Sequence, residues 1–332
     1  MKSLRILLLP FSWLYGMVVL LRNFLFDIGL LKSRTVNLPV ICIGNLNTGG
    51  TGKTPHTEYL LSVLSNFKTA VVSRGYGRNT KGIAEVQINS EAKETGDEPL
   101  QIKRKFQSVP FIVSEKRSEG IDYLLEHYPQ TEVVLLDDAF QHRSVKAGLN
   151  LLLTQFNDLF INDYLLPAGN LREPVLSSSR ADVIIVTKCP STITKEQKKS
   201  IISQLPAKPV FFSSFQYGNL QSLNSDKKLN LSELSAYEIL LITGIASNKN
   251  LLHFLSAHSR KTIVLTFKDH HNYCAKDFKN ITVVFNNLAS EIKPLILNLP
   301  VYSIPVTVVI NENEIKFLDI VKSYVGKNQS NS

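Results

Sequence analysis

The residues best suited to chemistry lie in one run, Gly44-Asn45-Leu46-Asn47-Thr48-Gly49-Gly50-Thr51-Gly52-Lys53-Thr54. Closely spaced glycines let successive backbone N–H groups curl around phosphate oxygens. A lysine at the end of the loop reaches the β- and γ-phosphates, and the hydroxyl after it can ligate Mg²⁺. Asn47 stands where the strict G-x-x-x-x-G-K-[ST] pattern has its first glycine, so the match rests on GGTGKT. A glycine-rich turn of no consequence would need Lys53 and Thr54 at both functional positions by accident. The expected ATP-binding set is therefore Asn47, Thr48, Gly49, Gly50, Thr51, Gly52, Lys53 and Thr54.

Other segments supply the acids and bases that such a loop needs. EVVLLDDAFQHR (132–143) ends an apolar run in Asp137-Asp138, the expected form of a carboxylate held at a strand tip to position Mg²⁺ together with Thr54. Gly96-Asp97-Glu98-Pro99 puts two acids at a helix start. They read either as cap and dipole complement or, beside a phosphate site, as a general base for an incoming hydroxyl. Arg74-Gly75-Tyr76-Gly77-Arg78 offers guanidiniums suited to phosphate, or a solvated turn. Arg172, in LLPAGNLREP (165–174), can neutralise charge on a transferring phosphoryl group, with Glu173 as its loop partner. Thr187-Lys188 resembles the guanine-reading NKxD loop of GTPases, but the aspartate is absent and Cys189-Pro190 follows, so guanine specificity is not expected. In Lys268-Asp269-His270-His271 the adjacent histidines would point to opposite strand faces with no further ligand cluster. A single His pairing with a carboxylate is the more economical reading, beside that of a plain surface turn.

Such residues act together only if strands and helices converge on them. PVICI (39–43), TAVVS (69–73), LNLLLT (149–154) and DVIIVTK (182–188) read as buried parallel strands, and the segment from Thr54 reads as the helix after the loop. PVFFSSFQYGNL (209–220) reads as a ribbon. A second α/β pattern follows in EILLITGIASNKNLLHFL (238–255) and KTIVLTF (261–267). The expected fold class is α/β: a P-loop NTPase-type parallel sheet and a second, smaller α/β domain joined by a β-ribbon, plus an N-terminal membrane-associated helix. The expected segments are 1–35, 36–207, 208–310 and 311–332.

Residues 4–31 are the most apolar stretch. No small-x-small cleavage site follows, Pro10 interrupts the run, and Arg5, Arg22 and Asp27 bound it, so a signal peptide or a full span fits poorly. Monotopic insertion, with Arg5, Arg22, Lys32 and Arg34 at anionic headgroups, is the favoured reading beside packing on the chain's own domain. With 332 residues, 44% hydrophobic and 20% charged, the chain is neither disordered nor disulfide-stapled and has length for two domains. Its 37 Lys and Arg against 28 Asp and Glu give a formal charge of +9, which favours anionic partners. The basic residues are interleaved with acids rather than gathered in a stripe, so no nucleic acid is expected. Cys42, Cys189 and Cys274 sit singly by apolar runs, which points to reduced, buried thiols and no structural metal.

In this order along the chain, the apolar N-terminus, GNLNTGGTGKTP, SRGYGR, GDEP, LLDDAFQHR, LLPAGNLREP and FKDHHNY resemble the tetraacyldisaccharide 4'-kinases of lipid A biosynthesis. The resemblance implies transfer of the ATP γ-phosphate to the 4'-hydroxyl of an acylated disaccharide 1-phosphate, giving lipid IVA. It also implies a peripheral protein at the cytoplasmic face of the bacterial inner membrane, with no obligate protein partner. Carried onto this sequence, Lys53, Asp97 and His270 are catalytic, with Asp97 accepting the hydroxyl proton and His270 tuning it. Thr54, Asp137 and Asp138 hold Mg²⁺, Arg172 joins the ATP set, and Asn45, Arg74, Tyr76 and Glu98 face the substrate. The loop also resembles switching ATPases with a KGGxGKT loop, but Thr48 replaces their lysine.

Overall fold

Unbroken runs of β-branched and leucine residues, apolar on both faces, form strands covered on both sides. In the computed structural model, which describes residues 5–223, 225–243, 248–267, 284–285 and 301–329, they build a nine-stranded sheet. Its strands are β1 (Val40–Asn45), β2 (Thr69–Ser73), β3 (Ala84–Glu85), β4 (Phe111–Val113), β5 (Val133–Asp137), β6 (Leu149–Gln155), β7 (Val183–Thr187), β8 (Val210–Tyr217) and, from the far end of the chain, Val306–Asn311. The order is Val306–Asn311, β8, β7, β6, β1, β5, β2, β4, β3. The pairs from β8 through β4 are parallel, and β3 joins antiparallel. From β1 the chain builds outward on both sides, which makes the carboxyl end of β1 the crevice where open α/β sheets bind ligands. The register sets Ile43 beside Asp137, so the end of β1 and the tip of β5 lie together.

The chain divides into two units, one running to Ser214 and resuming at Val308, the other Phe215–Thr307. Among the described residues the second unit has its own six-stranded sheet, in which Glu238–Thr243 pairs in parallel with Lys261–Thr266. Its core gathers Leu220, Leu234, Ile239, Leu241, Leu251, Leu255 and Ile304. The C-terminal helix, Glu314–Gln329, belongs to the first unit. It buries Phe317, Val321 and Val325, and its Tyr324 hydroxyl accepts from Val40 N–H at 3.0 Å and lies 3.2 Å from Val40 O.

The N-terminal helix, Leu9–Asp27, follows a short turn, Ile6–Leu8. Pro10 does not interrupt it: it sits in the first turn, where a missing N–H costs nothing. Among the described residues Ile6–Asp27, at 22 residues, is long and apolar enough to cross a membrane. Ser12, Gly16, Val19 and Asn23 form a buried stripe, while Phe11, Trp13, Leu14, Met17, Val18, Leu21 and Phe24 are exposed. The helix thus packs on its own unit and still presents an apolar face. Arg5, Arg22 and Arg34 each also meet a group of the chain itself, with the side chains of Arg22 and Arg34 still partly exposed. Arg5 donates to Pro167 O, Gly169 O and Asn170, Arg22 to Gln141 O, and Arg34 pairs with Asp122. Cys42 and Cys189 are buried free thiols; Cys274 lies outside the described residues.

Candidate active site

The loop after β1 is held at both ends. Asn47 forms an antiparallel bridge with Leu171, Thr48 N–H donates to Asn170 O at 2.7 Å and Arg172 N–H to Leu46 O at 2.7 Å. Asn47 Nδ2 also donates to Asp163 Oδ2 at 3.3 Å. The strand-like pairing explains why no glycine is needed at Asn47. Glycine is needed at Gly52, whose φ of +90° turns the chain into the helix Lys53–Val63. That turn aims the helix N-terminus at the loop interior. Burial, opposed by the bond to Gly52 O, lowers His56 to about 4, so it is neutral. Its Nδ1 lies 2.7 Å from Gly52 O and its Nε2 2.9 Å from the Ser213 hydroxyl. Because the unfolded chain takes up a proton near the ordinary value of 6.5 and the folded chain does not, stability falls as pH drops from about 6.5 toward 4, by up to about 3 kcal/mol. Urea titrations across that range should show a flatter pH dependence in His56→Gln than in the parent.

Opposite the loop, Asp137 ends β5 and is buried, with Thr57 Oγ1 donating to its Oδ1 at 2.9 Å. Burial first, then the charges of Glu98 and Asp138, raise its carboxyl to about 7. Asp138 follows with a left-handed φ of +46°, a conformation that costs a non-glycine residue about 1 kcal/mol or more. The strain turns its carboxylate to the cations. Lys53 Nζ is 3.6 Å from Oδ2 and Arg172 Nη2 is 2.9 Å from Oδ1. Burial alone would raise Asp138, but Lys53 and Arg172 outweigh it and hold it below the ordinary value.

Arg172 and Glu173 do not pair with each other; adjacent in the chain, they serve different neighbours. Arg172 reaches Asp138 and both oxygens of Asn45. Asn45 is fully buried, its Nδ2 lies 3.5 Å from Gly49 O, and Gln141 Nε2 donates to its carbonyl at 2.8 Å. Glu173, 1% exposed, takes Arg180 at 2.5 Å and Asn23 of the N-terminal helix at 3.2 Å. Tyr15 of that helix donates to Arg172 O at 2.8 Å. The helix is therefore fastened to the loop that carries Arg172.

On the other flank, Arg74 and Tyr76 are exposed on the turn after β2. Arg78 is withdrawn instead, donating to Gly82 O at 2.5 Å and Glu115 at 2.6 Å. Gly96, not an acid, caps the helix Asp97–Lys105, leaving Asp97 and Glu98 in its first turn as the dipole favours. A Cβ on Gly96 would sit 2.9 Å from Tyr76 O, and its φ is +92°. Gly96→Ala should therefore strain this turn and destabilise the fold by about 1 kcal/mol or more, read as a lowered urea midpoint.

Arg117 belongs to none of the sequence motifs. It is 2% exposed, and its guanidinium donates to Asp138 O at 3.2 Å and Ser114 O at 3.1 Å. Its own N–H donates to His142 Nε2 at 3.2 Å. Burial lowers it to about 10 against the attraction of Asp138 and Asp137. The available signal is that it opens a helix, Arg117–His127, where the dipole disfavours a cation. His270 and His271 lie outside the described residues. The structure thus brings Asn45, Lys53, Asp138 and Arg172 into one bonded cluster, with Asp137 beside it and Glu98 in electrostatic range. Arg74 and Tyr76 stand on the adjoining edge.

The family model for tetraacyldisaccharide-1-phosphate 4'-kinase matches residues 4–292. The chain is 50% identical to a tetraacyldisaccharide 4'-kinase of Bacteroides fragilis, over 85% of this chain and 77% of that one. It is 44% identical to one of Bacteroides thetaiotaomicron, over 98% and 94%. The crystal structure of the "apo" form of LpxK from Aquifex aeolicus in complex with ATP superposes with a TM-score of 0.79 at 30% identity, covering 97% of this chain and 99% of that one. With a phosphate loop, acid pair and arginine assembled at one sheet edge, and relatives aligned along nearly its whole length, the chain belongs to the tetraacyldisaccharide-1-phosphate 4'-kinase family.

Proposed function

We propose that the chain transfers the γ-phosphate of ATP to the 4'-hydroxyl of a tetraacyldisaccharide 1-phosphate, giving lipid IVA. The observation that carries the reading is the cluster at the end of β1, where Lys53 and Arg172 meet on Asp138. Phosphoryl transfer asks a protein mainly to position the reactants and neutralise developing charge. In this reading the loop amides and Lys53 bind the β- and γ-phosphates, and Arg172 meets charge on the transferring group. Asp97 takes the hydroxyl proton, while Arg74, Tyr76 and Glu98 orient the acceptor. Asn45, spent on Arg172 and the loop, acts by holding them in place.

The donors Thr54, Asp137 and Asp138 are hard oxygens of the kind Mg²⁺ prefers, and Asp137 is a buried carboxylate with excess negative charge around it. When bound, the ion supplies charge neutralisation at the β- and γ-phosphate oxygens.

The N-terminal helix supports peripheral attachment at the cytoplasmic face of the inner membrane. Bonds from Arg5, Ser12, Tyr15, Asn23 and Asp27 dock it along its length, so its free apolar face meets the bilayer edge-on. Replacing exposed Leu14 and Val18 with glutamate should lower partition onto anionic vesicles by at least about tenfold, with folding intact. Co-sedimentation measures it; binding equal to that of the parent contradicts the assignment. The reaction itself is tested by phosphorus NMR of the lipid after incubation with ATP and Mg²⁺. A new 4'-phosphomonoester is expected; ATP consumed with the lipid unchanged points to a switching ATPase.

A further inference from the structure

Carbonyls of the phosphate loop are gripped from outside by side chains that the mechanism above leaves unused. Lys188 Nζ donates to Gly50 O. Thr187 Oγ1, fully buried at the end of β7, lies 2.8 Å from Thr51 O and 3.2 Å from Thr154 O. His56 Nδ1 holds Gly52 O at 2.7 Å. In a planar trans peptide the carbonyl of one residue and the N–H of the next point in opposite directions. Fixing the Thr51 and Gly52 carbonyls therefore turns the N–H groups of Gly52 and Lys53 to the opposite side of the chain, while the peptide whose Gly50 carbonyl Lys188 holds has its own N–H, that of Thr51, closed on Gly49 O at 3.0 Å.

Lys188 reaches its place at a cost. Its φ is +56°, a left-handed conformation for a non-glycine residue, and the backbone just beyond is pinned by Cys189 N–H donating to Ser213 O at 2.9 Å. The turn sends the side chain back over the sheet edge to the loop instead of outward. Burial and then the charge of Lys53 lower its ammonium below the ordinary value, so a second cation is held beside Lys53, where anionic phosphates offset the repulsion.

We propose that Lys188 is a positioning residue for phosphoryl transfer, bracing the phosphate loop with Thr187 so that its amides are set for the β- and γ-phosphates before ATP arrives. This rests on the kinase reading of the site. The test compares the full-length parent with Lys188→Met, which keeps the apolar stem, and Lys188→Arg, which restores a charged donor. KM and kcat are measured for both substrates, together with Kd for ATP and for AMP and the urea midpoint. Losing a hydrogen bond from a charged donor predicts about a tenfold rise in KM and Kd for ATP in Lys188→Met. The acceptor KM, the AMP affinity and the urea midpoint stay at parent values, and Lys188→Arg recovers most of the loss. Unchanged ATP affinity in Lys188→Met overturns the proposal. An equal loss for AMP overturns it too, making Lys188 a nucleoside contact, as does a lowered urea midpoint that accounts for the whole effect. A parent chain that binds ATP but phosphorylates no lipid would instead sink the kinase reading.

Discussion

Lys53→Ala lowers kcat/KM for phosphoryl transfer by about 10³-fold or more while the chain stays folded. The ammonium sits 3.6 Å from Asp138, at the first residue of the helix that leaves the phosphate loop. In the proposed mechanism it meets charge that grows on the β–γ bridge and γ-oxygens in the transition state. Removing it leaves Asp138 still paired to Arg172 at 2.9 Å, so no buried carboxylate is stranded and the fold has little reason to fail. Lys53→Arg is a poor substitute, since a planar fork does not reproduce a compact ammonium in a loop built for one. Single-turnover transfer, with circular dichroism as the folding control, checks both halves of this expectation. Near-parent turnover in the alanine variant contradicts it.

Asp97→Asn lowers kcat by about 10² to 10⁴-fold and leaves the KM for ATP close to the parent's, because a general base works in the transition state and holds no part of the nucleotide. Asp97 stands in the first helical turn after Gly96, and the close approach of Gly96 to Tyr76 O fixes that turn against the exposed Arg74 and Tyr76. The asparagine keeps size and polarity and removes only the basicity. A defect confined to KM would assign Asp97 to binding, not proton transfer.

What the sequence made legible follows from local physics. β1 and β5 are short unbroken apolar runs whose ends carry GGTGKT and Asp137-Asp138, and patterns of that length are read within a few residues. Parallel pairing then does the rest, since aligning Ile43 with Asp137 brings both motifs to one edge. Features that depend on distant partners were not legible. Tyr324 meets Val40 across most of the chain, and no local pattern announces it. Arg117 looks like an ordinary surface cation until Asp138 O and Ser114 O close on it. Glu173 reads as the partner of Arg172, yet Arg180 and Asn23 claim it. The bonds that Arg5, Arg22 and Arg34 make to Pro167 O, Gln141 O and Asp122 were hidden for the same reason.

In the proposed reaction the cluster of Lys53, Asp138 and Arg172 moves phosphate from ATP to a lipid hydroxyl. The most direct measurement follows label from γ-labelled ATP, with Mg²⁺ and detergent, into tetraacyldisaccharide 1-phosphate, with the parent chain and Lys53→Ala in parallel. Labelled lipid is expected from the parent and almost none from Lys53→Ala. Labelled inorganic phosphate without labelled lipid, from a parent chain shown to bind ATP, would contradict the proposed reaction.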